Sequence, residues 1–204
     1  PSRTLTANNW LQGDFDGDRR ADVLWHNLST GTDVYWKGAN AQTRKGLSSN
    51  GDIAWAIAGV GDFNGDSKSD ILWRNRSTGS NIYWRSGDSA TRKGIGTLDL
   101  AWNVAGIADF DGDGADDILW RNSATGVNTI WKQANVLTRI NVATLEAPWI
   151  AAGVGDFDQD GKSDILWRNP LTGLNSIWKA GAAGNRIVTS VAVQWSAAAV
   201  GDLN

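Results

Sequence analysis

The sequence of 204 residues has no cysteine, no methionine, three prolines and one histidine. Without cysteine, disulfides and thiolate metal sites are excluded. No apolar run reaches 18 residues, so we expect no membrane insertion. A formal net charge of −3 gives no electrostatic basis for nucleic-acid binding. With 41% hydrophobic residues, the composition predicts a globular chain that binds neither nucleic acid nor the bilayer core.

Two residue types are abundant instead. There are 13 tryptophans, and of the 22 acidic residues all but Glu146 are aspartate. Aspartate is a poor helix former and a good ligand in loops. This bias indicates that the chain uses its carboxylates in loops.

A segment of about 47 residues repeats along the chain. Its marker runs from Gly13 to Asp18 as Gly-Asp-Phe-Asp-Gly-Asp, and related copies begin at Gly61, Ala108 and Gly155. A truncated copy stands at Gly201. We assign residues 1–204 to a single propeller domain, with repeats at approximately 10–54, 55–101, 102–148 and 149–194 and a partial fifth at 195–204.

Each repeat contains short β-rich runs separated by turn residues, as in Asp70–Asn75 and Asn81–Trp84, and no helical periodicity. Four-stranded units that repeat every 40 to 50 residues are typical of propeller blades. The sequence therefore predicts an all-β fold, a β-propeller of four-stranded antiparallel blades with four complete repeats plus an extra terminal strand.

The tryptophans fall into three sets by position in the repeat. One set precedes the aspartate loop, at Trp10, Trp55, Trp102, Trp149 and Trp195; one follows it, at Trp25, Trp73, Trp120 and Trp167; and one ends the third run, at Trp36, Trp84, Trp131 and Trp178. Most are expected to pack between blades. If one set is exposed, it can stack on sugar rings, and the third set is the candidate ligand-binding one.

An arginine follows the second tryptophan of three repeats, at Arg74, Arg121 and Arg168. Two roles are open for these guanidinium groups. They can bond the corner between strand and turn, or they can form a polar rim around a bound sugar or carboxylate.

Carboxylates or amides recur at positions 1, 3, 5 and 9 of each aspartate loop. The four sets are Asp14, Asp16, Asp18 and Asp22; Asp62, Asn64, Asp66 and Asp70; Asp109, Asp111, Asp113 and Asp117; and Asp156, Asp158, Asp160 and Asp164. Alternating short oxygen-bearing side chains can surround one hard cation, and oxygen-only ligands favour Ca²⁺. The backbone carbonyl at position 7 is the natural extra ligand, at Arg20, Lys68, Ala115 and Lys162.

These loops are not EF-hands, because position 12 is tryptophan and not a bidentate glutamate. The alternative is an aspartate-rich turn with ordinary side-chain-to-backbone bonds. Four copies with one spacing favour metal, so we expect about four structural Ca²⁺ ions. The second loop has Asn64 in place of a carboxylate and is expected to bind most weakly.

The run from Gly61 to Asn75, with the later Thr78-Gly79, resembles the FG-GAP/VCBS repeat. The resemblance covers nearly the whole chain. It implies propeller blades with Ca²⁺ in the loop between the first two strands, as in integrin α-subunit heads. It also implies a secreted or cell-surface location, since bacterial members are commonly appended to hydrolases or adhesins. Some related bacterial propellers are lectins.

Propellers of this type commonly have seven or so blades, whereas this chain has four complete units. The segment Arg3-Thr4-Leu5 resembles the last strand of a preceding blade. The chain can close as a small propeller, pair with a second copy as a homodimer completing an eight-bladed ring, or be an excised fragment. Open ends expose strand edges, which favours the last two.

Catalytic side chains are scarce. His26 occupies the slot that holds arginine in the other repeats, and no Ser-His-Asp set stands apart from the repeats. We therefore expect no enzyme but a calcium-binding ligand-binding or adhesion module for a carbohydrate, in a lectin-like manner, or for a protein. The alternatives are a structural or assembly domain of a larger secreted hydrolase and, less favoured, a polysaccharide-active enzyme.

Overall fold

The computed structural model describes residues 12–47, 52–182 and 186–197. Within these ranges the chain forms sixteen strands. The first two groups are β1 (Gln12–Gly13), β2 (Asp22–His26), β3 (Asp33–Trp36) and β4 (Arg44–Leu47), then β5 (Trp55–Gly61), β6 (Asp70–Asn75), β7 (Ser80–Trp84) and β8 (Lys93–Thr97). The others are β9 (Trp102–Ala108), β10 (Asp117–Asn122), β11 (Asn128–Trp131) and β12 (Arg139–Val142), then β13 (Ile150–Gly155), β14 (Asp164–Arg168), β15 (Leu174–Trp178) and β16 (Arg186–Ser190).

Each group of four strands is one antiparallel sheet in which neighbours in sequence are neighbours in space. The predicted fold class, an all-β propeller of four-stranded blades, is confirmed. We name the sheets blade 1 (β1–β4), blade 2 (β5–β8), blade 3 (β9–β12) and blade 4 (β13–β16). None of the described segments forms a helix long and apolar enough to cross a bilayer.

The blades contain only short 3₁₀ helices besides their strands in the described ranges. One turn follows the third strand of every blade, at Lys37–Ala39, Arg85–Gly87, Lys132–Ala134 and Lys179–Gly181, and further turns lie at Ala41–Thr43, Ser89–Thr91 and Val136–Thr138. The expected extra terminal strand and the Arg3-Thr4-Leu5 strand fall largely or wholly outside the described residues. Residues 195–197 are described and form no strand.

The described residues group into two compact units, one within Trp10–Leu100 and the other within Ala101–Asn204. Blades 1 and 2 make up the first unit and blades 3 and 4 the second. The assignment of the whole chain to a single domain, with the repeat bounds given above, stays a prediction.

The second strands of blades 2 and 3 are apolar and buried on both faces of the sheet. In β6 and β10 the run Asp-Ile-Leu-Trp is buried throughout. Such continuous burial replaces the alternation of a sheet with one wet face. The first strands of blades 2, 3 and 4 carry a register shift beside a glycine. At Gly106 an added Cβ would lie 2.5 Å from Cγ1 of Val154. Strands β9 and β13 therefore approach too closely for any larger residue at this position.

Aromatic side chains fill the space between successive blades of one unit. In the first unit, Phe15, Leu24 and Tyr35 of blade 1 form one buried cluster with Ile71, Trp73 and Trp84 of blade 2. In the second unit, the corresponding cluster is Phe110, Leu119, Ile130, Val142, Ile165, Trp167 and Trp178. Burying a large apolar side chain contributes roughly 1.5–3 kcal/mol. Four tryptophans, Trp73, Trp84, Trp167 and Trp178, thus pack between blades in these clusters.

Candidate metal centres

Each aspartate loop is wound around the carboxylate of its first aspartate. In the third loop, Oδ1 of Asp109 accepts hydrogen bonds from the amides of Gly112 and Asp113 at 2.7 and 3.2 Å. Its Oδ2 accepts from the amide of Gly114 at 2.8 Å. Gly112 and Gly114 have φ angles of 79° and 86°, which glycine adopts without strain. The sequence pattern therefore folds into a tight turn that presents its later carboxylates inward.

The third and fifth positions extend this turn by the same local chemistry. Oδ1 of Asp111 accepts from the amide of Asp113 at 3.2 Å, and Oδ1 of Asp113 accepts from the amide of Ala115 at 2.9 Å. The amides of the other seventh residues, Arg20, Lys68 and Lys162, donate to their fifth-position aspartates in the same way. The carbonyl groups of these four residues stay proposed metal ligands.

The ninth aspartate is buried and joins the loop to the blade. Oδ2 of Asp117 accepts from the amide of Phe110 at 3.1 Å, and Oδ1 accepts from the amide of Gln133 at 2.8 Å. Asp22, Asp70 and Asp164 make the equivalent pairs of bonds. Burial raises the pKa of Asp70 to about 7 and that of Asp117 to about 6, although the backbone bonds oppose the shift. The pKa of Asp22 is also raised, chiefly by burial.

Three loops bring three carboxylates together, with one oxygen of each within 4.8 Å of the others. These groups are Asp14, Asp16 and Asp18; Asp109, Asp111 and Asp117; and Asp156, Asp158 and Asp164. In the second loop, Nδ2 of Asn64 donates to Oδ2 of Asp66 at 3.0 Å, so an amide stands where the others have a carboxylate. The donor set of these loops is oxygen alone. That chemistry fits a hard cation such as Ca²⁺ and does not fit zinc.

A lysine pairs with the third-position aspartate in three blades, and sequence reasoning missed it. The Nζ atoms of Lys37, Lys132 and Lys179 lie 3.0, 2.7 and 2.6 Å from Oδ2 of Asp16, Asp111 and Asp158. The hydrogen bond from each lysine lowers the pKa of its aspartate. A signal was present, because lysine follows the third tryptophan wherever position 3 is aspartate, whereas blade 2 combines Asn64 with Arg85.

The recurring arginines bond the blade corner, which is the first of the two roles considered from sequence. Nη1 of Arg121 donates to Oδ1 of Asn128 at 2.9 Å, and Nη2 donates to the carbonyls of Leu145 and Trp149 at 2.6 and 2.8 Å. Arg74 and Arg168 make equivalent bonds to Asn81 and Asn175 and to the connection that follows. Burial lowers the pKa of Arg74 and Arg121. Both terminal nitrogens of each arginine thus have acceptors at the blade corner or on the connection that follows.

The expectation that the third set of tryptophans stacks on sugar rings needs a correction. Trp84, Trp131 and Trp178 are buried, and only Trp36 of this set is partly accessible. Their rings pack on the tryptophan of the neighbouring strand, as Trp73 and Trp84 do with centroids 4.7 Å apart. A buried ring has no face free for a sugar. Among the described tryptophans, the strongly exposed ones are Trp25 and Trp195, and Trp10 lies outside the described residues.

His26 is part of the corner of blade 1. Its Nδ1 lies 2.6 Å from Oδ1 of the buried Asp33, and these two residues take the places of Arg121 and Asn128 in blade 3. Burial raises the pKa of Asp33, while the bond from His26 opposes the shift. In blade 1, histidine and aspartate thus replace arginine and asparagine together. This paired replacement supports the interpretation of His26 as a repeat variant.

Comparison with known proteins supports the repeat assignment. A sequence profile described as an FG-GAP-like repeat matches residues 14–73, 62–120 and 109–167, which together span well over half of the chain. No curated protein matches the sequence significantly.

Solved structures share the fold at low sequence identity. The crystal structure of BBS1N in complex with ARL6DN, soaked with mercury, has a TM-score of 0.52 at 10% identity, over 89% of this chain and 54% of that chain. The crystal structure of a nidogen/laminin complex has a TM-score of 0.49 at 12% identity, over 81% of this chain and 59% of that one. The chain thus spans little more than half the length of these structures. Only the first likeness is close enough to support the fold.

Proposed function

The chain belongs to the FG-GAP-like repeat family, and from this premise we propose that it is a calcium-stabilised propeller module that binds a protein partner and performs no catalysis. The observation that carries the calcium part is the convergence of three carboxylates within 4.8 Å in three separate loops. Four loops with the same spacing of oxygen-bearing side chains, three of them with converging carboxylates, are more than ordinary turns require. A propeller whose loops hold structural ions would present a surface suited to binding another molecule.

The residues proposed to hold the ions are those at loop positions 1, 3, 5 and 9, with the carbonyl at position 7. Bound Ca²⁺ would supply positive charge that offsets the repulsion among carboxylates placed so close together. The first aspartate, such as Asp109, shapes the loop through four backbone amides. The ninth, such as Asp117, holds that loop to the second strand of the blade. The chain's own bonds therefore preorganise each site.

A protein partner fits the accessible surface better than a sugar does. The terminal guanidinium nitrogens of Arg121 already donate to acceptors of its own blade corner. The rings of Trp84, Trp131 and Trp178 are buried. Exposed leucines do occur at the turns between second and third strands, at Leu28 and Leu171. BBS1N, which shares the fold, was crystallised in complex with another protein. We also propose a secreted or cell-surface location, since FG-GAP repeats are commonly extracellular.

Calorimetry tests the calcium part. After EDTA treatment, added Ca²⁺ should raise the melting temperature, because a ligand at 100 times its Kd stabilises the folded state by about 2.7 kcal/mol per site. Mg²⁺ at the same concentration is the control and should do much less. An unchanged melting temperature together with no heat of Ca²⁺ binding would defeat the proposal.

A matched pair of variants separates the metal role from the structural role. Asp113→Asn should lower the metal-free melting temperature only slightly, because Asp113 is exposed and its Oδ1 can still accept from Ala115, so that only the exposed bond from Nε2 of Gln133 to Oδ2 is lost. It should weaken Ca²⁺ binding. Asp117→Asn should lower the melting temperature with or without Ca²⁺, since an amide cannot accept from both Phe110 and Gln133.

A glycan array probed in Ca²⁺ tests the choice of partner. We expect no signal above that of an unrelated propeller. A specific signal that EDTA abolishes would overturn the assignment to a protein partner and restore the lectin-like alternative.

A further inference from the structure

The 3₁₀ turn that follows the third strand contacts the aspartate loop of its own blade. In blade 3 the first residue of this turn is Lys132, whose ammonium pairs with Oδ2 of Asp111. The second residue is Gln133, whose backbone amide donates to Oδ1 of Asp117 at 2.8 Å. The side chain of Gln133 makes a further bond, from Nε2 to Oδ2 of Asp113 at 2.9 Å. This one turn thus contacts three of the four carboxylates that are proposed to hold the ion.

The side chain of Gln133 bonds a carboxylate oxygen that differs from the one bonded inside the loop. Oδ1 of Asp113 accepts from the amide of Ala115 at 2.9 Å, whereas Oδ2 accepts from Nε2 of Gln133. Ca²⁺ lies about 2.3–2.6 Å from its oxygen ligands, so neighbouring ligand oxygens stand roughly 3 Å apart. The end of the Gln133 side chain is therefore already at the distance from Asp113 that a second ligand of the same ion would have.

The carboxamide of Gln133 suits the loop with or without an ion. Its nitrogen donates to a carboxylate in the metal-free loop, and its oxygen is a neutral ligand of the kind that Ca²⁺ accepts. Rotation by half a turn about the last side-chain bond exchanges the two atoms, which are nearly equal in size. Lys132 differs in this respect, because an ammonium has no acceptor and cannot bind a cation.

The other three blades have no carboxamide at this position. The equivalent residues are Gly38, Ser86 and Ala180, and the backbone is left-handed at all four positions, with φ between 47° and 53°. Each of the four amides donates to the ninth aspartate of its own loop. Glycine and alanine have no polar side-chain atom, and the hydroxyl of serine lies two bonds nearer to the backbone. The four turns therefore share a backbone conformation and an anchoring bond, and they differ at this position in the side chain.

A further neutral oxygen fits the ligand count and the charge of the third loop. Ca²⁺ takes about six to eight oxygens, and four carboxylates with the carbonyl of Ala115 supply five if each gives one. From position 1 to position 9 this loop already has five aspartates and no basic residue, whereas each of the other loops includes an arginine or a lysine. Another carboxylate would increase the repulsion in the metal-free loop, and a carboxamide does not.

We infer that the carboxamide oxygen of Gln133 is a further ligand of the cation bound by the third loop. The turn contributes this ligand from outside the repeat motif, 16 residues beyond Asp117 in the sequence. The inference rests on the calcium sites proposed above and adds a residue that distinguishes the third loop from the other three.

NMR spectra of the ¹⁵N-labelled chain test the inference separately for each loop. Every aspartate loop contains a glycine whose amide donates to the first aspartate of that loop, namely Gly17, Gly65, Gly112 and Gly161. Their signals are followed as Ca²⁺ is added to the metal-free chain. In Gln133→Ala the midpoint for Gly112 should move to roughly tenfold higher Ca²⁺, because the ion loses one protein ligand. The midpoints of the other three glycines should not change.

Three further variants separate the carboxamide from other effects. Ala180→Gln places the same side chain on the matching turn of blade 4 and should lower the Ca²⁺ midpoint for Gly161. Gln133→Met keeps the length of the side chain without its polar atoms and should behave like Gln133→Ala. Gln42→Ala is the control, since Gln42 is an exposed glutamine on another 3₁₀ turn, and it should leave all four midpoints unchanged.

The outcomes distinguish this inference from the calcium proposal. If the wild-type loops bind Ca²⁺ but Gln133→Ala leaves the Gly112 midpoint unchanged, Gln133 is no ligand and the inference is wrong. A lower midpoint also overturns it, because it would show that the bond from Gln133 to Asp113 opposes the ion. If Ca²⁺ moves none of the four signals in the wild type, the calcium proposal fails and the inference fails with it. Melting temperatures of the metal-free variants check that each of them is folded.

Discussion

The ammonium of Lys132 lies 2.7 Å from Oδ2 of Asp111. Lys132 directly follows the buried Trp131 in the sequence. Lys37 and Lys179 make the same pair in blades 1 and 4. In three loops, a lysine ammonium is thus paired with a carboxylate oxygen that is proposed as a metal ligand. Such a lysine holds the loop together without metal and opposes the approach of a divalent ion.

Removing this lysine should strengthen calcium binding. Lys132→Met is expected to raise the Ca²⁺ affinity of the third loop roughly threefold to tenfold, because an exposed ion pair and the repulsion it exerts are worth about 1 kcal/mol. Isothermal titration calorimetry measures the change. Arg139→Gln removes one positive charge from an exposed strand position and should leave the affinity unchanged. An unchanged or weaker affinity in Lys132→Met would show that the lysine does not oppose the ion.

The second loop offers the opposite change. Asn64→Asp should raise its Ca²⁺ affinity about tenfold, because a fourth carboxylate joins the oxygen ligands of the site. Asn40→Asp is the control, since Asn40 only caps a 3₁₀ turn by accepting from the amide of Gln42. Calorimetry of both variants against the wild type checks the expectation. Equal affinities in all three would contradict the ligand role of position 64.

Metal-free protein should become more stable as the pH falls from 8 to 5.5. The folded-state pKa values of Asp70 and Asp117, about 7 and about 6, lie above the ordinary value of 3.8. The folded state therefore binds protons more tightly than the unfolded state, so its stability increases as the pH falls through this range. Asp16, Asp111 and Asp158 do not oppose this trend, because their lysines lower their pKa values and they titrate below the range.

Melting temperatures in EDTA at the two pH values measure this effect. In saturating Ca²⁺ the trend should reverse, since protons compete with the ion for the same carboxylates. The variant Asp70→Asn should show a smaller pH dependence in EDTA than the wild type. A wild-type melting temperature that falls from pH 8 to pH 5.5 in EDTA would contradict the burial of these groups as the dominant influence.

The Thr-Gly turn should tolerate no side chain. Gly126 has a φ of +74°, and a Cβ there would lie 2.5 Å from the carbonyl oxygen of Leu145. Gly126→Ala should destabilise the protein by more than about 2 kcal/mol, because the left-handed conformation and the displaced backbone both add cost. Gly94→Ala, where nothing lies within 4 Å of an added Cβ, should change stability by less than about 0.5 kcal/mol. Urea unfolding midpoints compare the two variants.

The repeat made much of this fold predictable. A fixed spacing of turn residues and short apolar runs is a local property, and each blade is built from local antiparallel pairs such as Ile71 with Trp84. The loops were predictable for the same reason, because the bonds of Asp109 within its loop reach only two to five residues ahead. The calcium ligands themselves remain a prediction.

The exposure of the tryptophans could not be predicted, because it depends on which blade lies beside each ring. Trp73 and Trp25 occupy the same repeat position in similar local sequences, but the first is buried and the second is exposed. The lysine partner of Asp111 was also hidden, since Lys132 stands 21 positions away and meets the loop only once the third strand is paired. Contacts of that range follow from the tertiary structure and not from the repeat motif.

The amide of Ser69 in one loop donates to the carbonyl of Asp14 in the loop before it. Neighbouring loops within a unit are thus joined by a backbone hydrogen bond. An ion that orders the first loop would also lower the entropy that the second must lose, without any change of fold. Calcium would then fill the two loops cooperatively, and the titration curve would be steeper than that of independent sites.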